Sequence, residues 1–442
     1  MKTYTFKHGI HPPDHKAATE SRHIEVIHPK AGELLIYPMQ QHIGAPCKPI
    51  VEIGQRVLVG QKIADSDAAV SSPVHASVSG VVKAFDQTLT PTGITAEAII
   101  IENDALMEEL PSMVGTEDYL RFTKEEYLAK IREAGIVGLG GAGFPAHIKL
   151  NPPADKKIDY IIVNASECEP FLTTDHRVML EQPNEIRRGL QILLQMFPGA
   201  KGIIGIETNK PDAITAITAV CRGDDRITVK ALKTKYPQGS EKQMIQACTG
   251  RQVPSGKLPA DVGCIVDNVD TVIAIDRCVK RGRPLMRKVV TIVGGAVKNP
   301  GNYKVRLGMT YESLIEATGG FKSEPSKLVS GGPMMGVSMF DLQVPVIKTS
   351  SAVLCFTKEE SDMPDESVCI RCGRCVEHCP ISLMPFELNR YILFGQIDLF
   401  KKFNGLDCIE CGSCSYVCPA KRHISQSIRA TRRYLMSQRK KS

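Results

Sequence analysis

Eight of the chain's fifteen cysteines form two runs with one spacing: Cys369, Cys372, Cys375 and Cys379 before Pro380, then Cys408, Cys411, Cys414 and Cys418 before Pro419. Three thiolates spaced in this way wrap one face of an iron–sulfur cubane, and the longer step followed by proline carries the chain away. The fourth sulfur of each run then reaches the neighbouring cluster. Cys369, Cys372, Cys375 and Cys418 are expected to hold one [4Fe-4S] cluster, and Cys408, Cys411, Cys414 and Cys379 a second. Zinc prefers paired Cys-x2-Cys knuckles to a triple run, and a disulfide framework needs an oxidising compartment. Because such clusters move single electrons, the upstream residues are read for what feeds them.

A chain of 442 residues, 43% hydrophobic and 23% charged, has the size and composition of three or four soluble globular domains. No apolar run reaches the roughly 18 residues that span a bilayer, and the opening MKTYTFKHGI lacks the apolar core of a signal peptide. A cytoplasmic chain without a transmembrane segment is expected, and the seven scattered cysteines fit a reducing compartment. The net charge of +7 gathers near the end of the chain, in Lys421, Arg422, Arg429, Arg432, Arg433, Arg439, Lys440 and Lys441. So local an excess does not suggest nucleic acid. It reads as a solvated helix face, or as a docking face for an acidic partner or an anionic membrane surface.

Five segments follow in order. Residues 1–30 read as an extended arm; its His8, His11, His15, His23 and His28 lack metal-ligand spacing and read as solvated. Residues 31–105, with short β-branched runs broken by Gly and Pro, read as a small all-β module. Its Gly54-x-x-Val57-x-x-Gly60-Gln61 pattern resembles the barrel-sandwich fold of biotinyl and lipoyl carriers. Asp67, Ala68 and Ala69 stand where a carrier would present lysine, so no covalent cargo is expected. Residues 118–283 alternate strands and helices as an α/β nucleotide domain. There TKEEYLAKIREAG predicts a helix with Tyr127, Ile131 and Ala134 on one face and Gly135 as its stop. Residues 285–357 read as a compact α+β module with a turn at Asn299-Pro300-Gly301 and a helix from Thr310 to Ala317. Residues 360–442 carry the cysteines and a helical basic tail.

Within the α/β domain the loop Gly138-Leu139-Gly140-Gly141-Ala142-Gly143-Phe144-Pro145 follows a helix, unlike the dinucleotide fingerprint, which follows a strand. Such a loop serves as a plain turn, or brings backbone N–H groups onto a phosphate or a flat ring, with Lys149 adding charge. The apolar run DYIIVNASECEP reads as a buried strand ending in polar residues, where open α/β sheets place ligands. Cys168, between two carboxylates, is a poor nucleophile and reads as packing. Met334 and Met335 read as core filling.

GLGGAGFPAHIKL followed by VNASECEPFLTTDHR resembles the flavin and NADH site of the 51 kDa-type subunit of respiratory complex I. The stretches Tyr236–Glu241 and Asp267–Thr271 agree with it. Combined with the arm FKHGIHPPDHK, the phrase QQHIGAP, the barrel-sandwich, a β-grasp-like module of the soluble-ligand-binding type and the double cluster motif, the whole chain resembles the RnfC family of the Rnf electron transport complex. The resemblance implies a multidomain α/β and α+β protein ending in a helical ferredoxin-like domain. It implies non-covalent FMN held by Gly138, Gly140, Gly141, Gly143, Lys149, Asn164, Glu167, Tyr236, Asn268 and Thr271, and nicotinamide contacts from Phe144, Glu169 and Glu241. It further implies a peripheral, cytoplasmic-face subunit that passes electrons between NADH, FMN and two [4Fe-4S] clusters. Partner subunits, one of them an iron–sulfur protein, would move Na+ or H+. Three residues depart from the complex I pattern: Leu139 replaces Arg, Ser166 replaces Asp and Cys168 replaces Gly. The first removes a charge near phosphate. Two other readings compete: a soluble flavin iron–sulfur reductase of the cobalamin-reductase kind, and a ferredoxin-like scaffold that has lost its nucleotide.

Overall fold

The computed structural model describes residues 2–439. Its central sheet has five parallel strands in the order Thr3–Tyr4, Ile227–Leu232, Lys201–Glu207, Tyr160–Ala165 and Cys264–Asn268. The inner strands are nearly continuous apolar runs because helices cover both faces. On one face Ile162, Ile203 and Val266 pack with Met244, Ile245 and Cys248 of the helix Glu241–Thr249. On the other, Ile161, Val163, Ile204 and Ile206 join the main core with Ile186, Leu190 and Leu193 of the helix Pro183–Met196 and Val272 of the helix Val269–Arg281. Those two helices cross at Gly189, where a Cβ would lie 2.2 Å from the Val272 carbonyl oxygen.

The chain leaves the central strand Tyr160–Ala165 in one direction, through Lys201–Glu207 to Ile227–Leu232, then adds Cys264–Asn268 on the opposite side. Strand order therefore reverses beside Tyr160–Ala165. In an open α/β sheet a ligand crevice forms beyond the carboxyl ends at this reversal.

A second, six-stranded sheet is ordered Val337–Met339, Lys327–Ser330, Ala352–Phe356, Arg287–Val293, Gly301–Arg306 and Ile24–Val26. Its helix Tyr311–Ala317 is capped by Thr310, whose hydroxyl accepts from the Ser313 N–H at 3.2 Å. The β module of the N-terminal quarter consists of a four-stranded and a three-stranded antiparallel sheet. Asp67, Ala68 and Ala69 are exposed at the tip between Lys62–Asp65 and Val74–His75.

The arm is a seam between domains. Thr3–Tyr4 extends the parallel sheet and Ile24–Val26 extends the second sheet, while Phe6, Ile10, Lys16 and Thr19 are buried between them. The arm histidines are exposed, but His15 stacks on Phe171 at 4.7 Å and His23 accepts from Arg177 at 3.0 Å. The expected helix before the glycine loop runs Lys124–Glu133. Thr123 and Glu126 form its capping box, Tyr127 and Ile131 are its buried face, and Gly135 at φ +67 ends it.

The C-terminal domain repeats itself. Each cysteine run turns through a left-handed residue (Arg371, Glu410) and a left-handed glycine (Gly373, Gly412) into a short helix, Arg374–Glu377 or Ser413–Tyr416. A longer helix follows each, Pro385–Leu393 and Ile424–Arg439, and Leu388, Phe400, Ile424 and Ile428 form the domain's core. Among the described residues no helix is long and apolar enough to cross a membrane. Of the expected basic end, Lys440 and Lys441 lie outside the described residues and the side chain of Arg439 is not described.

Candidate functional site

The glycine loop closes on itself: the Gly138 N–H donates to the Phe144 carbonyl at 2.8 Å and the Gly143 N–H to the Gly138 carbonyl at 3.1 Å. It lies over the reversal point. The Leu139 N–H donates to Thr271 Oγ1 at 2.9 Å, and a Cβ on Gly140 would come within 3.1 Å of the Asn268 Cβ. Asn268 ends a central strand and caps the helix Val269–Arg281 by accepting from the Asp270 N–H at 2.9 Å. Gly141, at φ +108, faces open space, so its backbone is accessible. Leu139, where the complex I pattern has arginine, is buried in the core, and Phe144 is half-buried.

The second wall is the loop after Tyr160–Ala165. Asn164 Nδ2 donates to the Gly239 carbonyl at 2.7 Å, and the Gly239 N–H donates to Cys168 Sγ at 3.2 Å. Glu167 turns inward at φ +52 and accepts from the Asp175 N–H at 2.6 Å and the His176 N–H at 3.3 Å. Its carboxylate thus serves the first turn of the helix Thr174–Glu181, where the helix dipole favours negative charge. Glu169 accepts from the Met334 N–H at 3.1 Å and from Tyr236 Oη at 3.4 Å, and burial pushes its carboxyl up to about 7. Lys149 pairs with Glu241 at 2.8 Å and Asp267 at 3.6 Å. Thr271 is fully buried, its hydroxyl occupied by Leu139.

Thus Gly138, Gly140, Gly141, Gly143, Asn268 and Thr271 lie together on one side of the crevice, with Lys149 and Glu241 paired across it. Asn164, Glu167, Glu169 and Tyr236 form the other side. Tyr236 is displaced from the glycine loop: it is only 1% exposed, lies beneath the arm and turns toward the cysteine domain.

Three participants have no motif to reveal them. Lys16 of the arm is buried and donates from Nζ to the carbonyls of Glu167 at 2.9 Å, Glu169 at 3.1 Å and Leu172. Lys210 holds the same loop through the Ser166 carbonyl at 2.7 Å. Asp175 accepts from Asn268 Nδ2 at 2.8 Å; burial, then the charges of Glu167 and Asp270, push its carboxyl up to about 7. Lys16 is 151 residues from Glu167, so no local pattern announces the contact. Met334, expected as core filling, also brings its backbone to Glu169.

Four polar side chains along these carboxyl ends are buried with atoms that have no partner among the described residues: Ser166 Oγ, Gln238 Oε1 and Nε2, Gln243 Oε1 and Asp267 Oδ2. Buried polar atoms normally find partners. Unmatched donors and acceptors beside an open glycine loop fit a polar, ring-bearing cofactor such as FMN.

The cysteine domain groups its thiols in crossed sets. Burial, then the neighbouring Cys418, Cys369 and Cys372, pushes the Cys375 thiol up; burial, then Cys408, Cys411 and Cys379, does the same to Cys414. Four thiols crowded this way fit a cation-rich cluster that holds them as thiolates. Backbone N–H groups already point at two sulfurs, Leu383 to Cys379 at 3.3 Å and Glu410 to Cys408 at 3.4 Å. The sets differ in exposure: Cys369 and Cys372 are exposed, whereas Cys411 and Cys414 are buried.

The buried set adjoins the nucleotide domain. Tyr236 Oη donates to the Cys411 carbonyl at 2.7 Å, Gln243 Nε2 to the Pro380 carbonyl at 3.0 Å, and the Gly9 N–H of the arm to the His378 carbonyl at 3.3 Å. Ile10, Tyr236 and Cys411 form one apolar cluster, with Cys168 and Met334 packed on it. Part of the basic tail is structural: Arg429 pairs with Glu410 at 3.2 Å and Arg432 with the same carboxylate, clamping the loop between Cys408 and Cys411.

Comparison with known families divides the chain in the same order. The RnfC barrel sandwich hybrid domain matches residues 4–106, the Nuo51 FMN-binding domain 131–277, the SLBB domain 289–338 and the 4Fe-4S dicluster domain 365–424. The chain is 45% identical to the RnfC-type subunit of the Na(+)-translocating ferredoxin:NAD(+) oxidoreductase complex of Acetobacterium woodii, covering 100% of this chain and 99% of that protein. It is 47% identical to the corresponding subunit of the proton-translocating ferredoxin:NAD(+) oxidoreductase complex of Clostridium ljungdahlii, over 96% of this chain and 93% of the relative. The corresponding subunit of the ion-translocating oxidoreductase complex of Rhodobacter capsulatus is 37% identical over 90% of this chain and 77% of its own length. At this identity over nearly the whole length, the chain belongs to the RnfC family of ion-translocating oxidoreductase subunits.

Proposed function

We propose that the chain is the nicotinamide-facing electron-transfer subunit of an Rnf-type ferredoxin:NAD+ oxidoreductase. Partner subunits, one of them an iron–sulfur protein, hold it peripherally at the cytoplasmic face of the membrane and couple electron flow to Na+ or H+ movement. One observation carries this reading: the wall of the crevice and the loop of the buried cysteine set meet at the hydrogen bond from Tyr236 to the Cys411 carbonyl.

When bound, FMN supplies the conversion between a hydride and single electrons. The protein's part is placement. Gly138, Gly140, Gly141 and Gly143 let backbone approach phosphate and ring closely, Lys149 offers charge, and Asn164 and Asn268 offer amide groups. Phe144 provides a face on which a nicotinamide can stack, and Glu241 and Glu169 provide carboxylates for ribose hydroxyls. Glu167, Tyr236 and Thr271 act mainly by holding the two loops in register. Cys408, Cys411, Cys414 and Cys379 hold the inner cluster; Cys369, Cys372, Cys375 and Cys418 hold the outer one, toward partner subunits.

Anaerobic titration of the FMN-supplemented chain with NADH, and separately NADPH, tests this. Flavin and cluster absorbance are expected to bleach together with NADH. Intact clusters with no retained FMN, or retained FMN with no bleaching, would instead support the scaffold reading.

A further inference from the structure

The sheet built around Arg287–Val293 carries a second polar feature, away from the crevice. Arg287 and Arg306 are direct register partners on neighbouring antiparallel strands. Lys304, two residues before Arg306, leaves the same face of its strand. Like charges directly opposite one another are unfavourable on a sheet. Arg277, on the helix Val269–Arg281, lies across from them: its charge disfavours the charged forms of both Arg287 and Lys304.

The carboxylates near this face are engaged elsewhere. Glu109 is bidentate with Arg283 at 2.6 and 2.9 Å, Glu181 pairs with Arg177 at 2.7 Å, and Glu185 pairs with Arg281 at 3.2 Å. Arg277 reaches only the neutral amide of Gln182. Arg306 is 6% exposed, and its Nη1 has no partner among the described residues. Arg287, Lys304 and Arg277 are half-buried, so the group is open to solvent on one side. Burial, then Arg287, pushes the Arg306 guanidinium down to about 10, the direction set by unmatched positive charge.

We infer that Arg277, Arg287, Lys304 and Arg306 form a binding site for a small, multiply charged oxyanion, a phosphate or pyrophosphate group of a soluble ligand. Guanidinium forks match phosphate oxygens in pairs, and an ammonium adds a point charge. Such a ligand would supply the partner that Arg306 Nη1 lacks and offset the repulsion between Arg287 and Arg306. The site is separate from the flavin crevice and does not depend on the function proposed above.

The test uses the full chain with its clusters and FMN, titrated at constant ionic strength with inorganic phosphate, inorganic pyrophosphate and chloride. Saturable binding of one pyrophosphate per chain, or of phosphate, is expected by calorimetry, with no saturable response to chloride. Arg287→Gln and Lys304→Gln, both at half-buried positions, are each expected to weaken binding at least tenfold while NADH-driven bleaching persists. In anion-free buffer Arg287→Gln is also expected to raise the melting temperature, because it removes a repulsive charge. Arg306→Gln is a third variant, expected to abolish binding if it folds. Absence of saturable binding, or binding of unchanged affinity in Arg287→Gln and Lys304→Gln, would overturn the inference. So would loss of co-purification with an acidic partner chain in those variants without any phosphate response, which would assign the face to a protein contact.

Discussion

Tyr236 donates its phenolic hydrogen to the Cys411 carbonyl at 2.7 Å, joining the nucleotide domain to the loop of the buried cysteine set. Both groups are buried, so removing the donor leaves a carbonyl without a partner. Tyr236→Phe is expected to cost about 1–3 kcal/mol of stability. It should also alter the potential or reduction rate of the inner cluster while leaving FMN content unchanged. Denaturant titration and potentiometric EPR measure the two effects, and a wild-type cluster signal would show that the bond is only structural.

The crossed grouping of thiols makes a prediction that the linear motifs alone would reverse. Cys418→Ala should damage the outer cluster, shared with Cys369, Cys372 and Cys375, and Cys379→Ala the inner one. Iron content with EPR of each variant checks this. Loss of the inner cluster in Cys418→Ala would mean that each run holds its own.

Lys16 ties the arm to the loop bearing Glu167 and Glu169 through three carbonyls. Lys16→Met keeps much of the volume and removes the donors. It should destabilise the chain by about 3 kcal/mol, since several buried acceptors lose a partner. A rise in the KM for NADH larger than any fall in kcat would mark a positioning effect on the loop, whereas equal losses would indicate general unfolding.

Asp175 and Glu169 give the chain a defined pH dependence. Burial raises each folded-state pKa to about 7, from unperturbed values of 3.8 and 4.5. Between those limits the folded chain binds a proton that the unfolded chain has lost, so these two groups lower stability as pH rises from about 4 to 7. The penalty is full above 7 and absent below 4. Asp175→Asn retains an acceptor for Asn268 and should flatten the curve by about 1.4 kcal/mol per pH unit. Urea denaturation from pH 5 to 8 measures the slope, and an unchanged slope would refute the raised Asp175 value.

Much of the architecture was legible because it is written in local spacing. Thr123 and Glu126 announce a capped helix, Gly135 its end, and Asn299-Pro300-Gly301 a turn. Each is set by backbone geometry within a few residues. The arm was not legible in this way, because Thr3–Tyr4 and Ile24–Val26 become strands only by pairing with Ile227–Leu232 and Gly301–Arg306. An extended segment with no period of its own carries no mark of its partner. The tail reads as a solvated basic face in sequence, yet Arg429 and Arg432 converge on Glu410.

By themselves the residues determined the thiolate chemistry, the glycine loop and the polar strand end, because ligand type and close backbone approach depend on residue identity and short spacing. Only the tertiary structure decided which loop faces which. It set the glycine loop on Asn268 and Thr271, spent Glu167 on a helix end, brought Lys16 across 151 residues to that loop, and joined Tyr236 to the inner rather than the outer cysteine set. Those contacts come from packing among segments far apart in the chain, where the need to pair buried hydrogen-bonding groups chooses the partner.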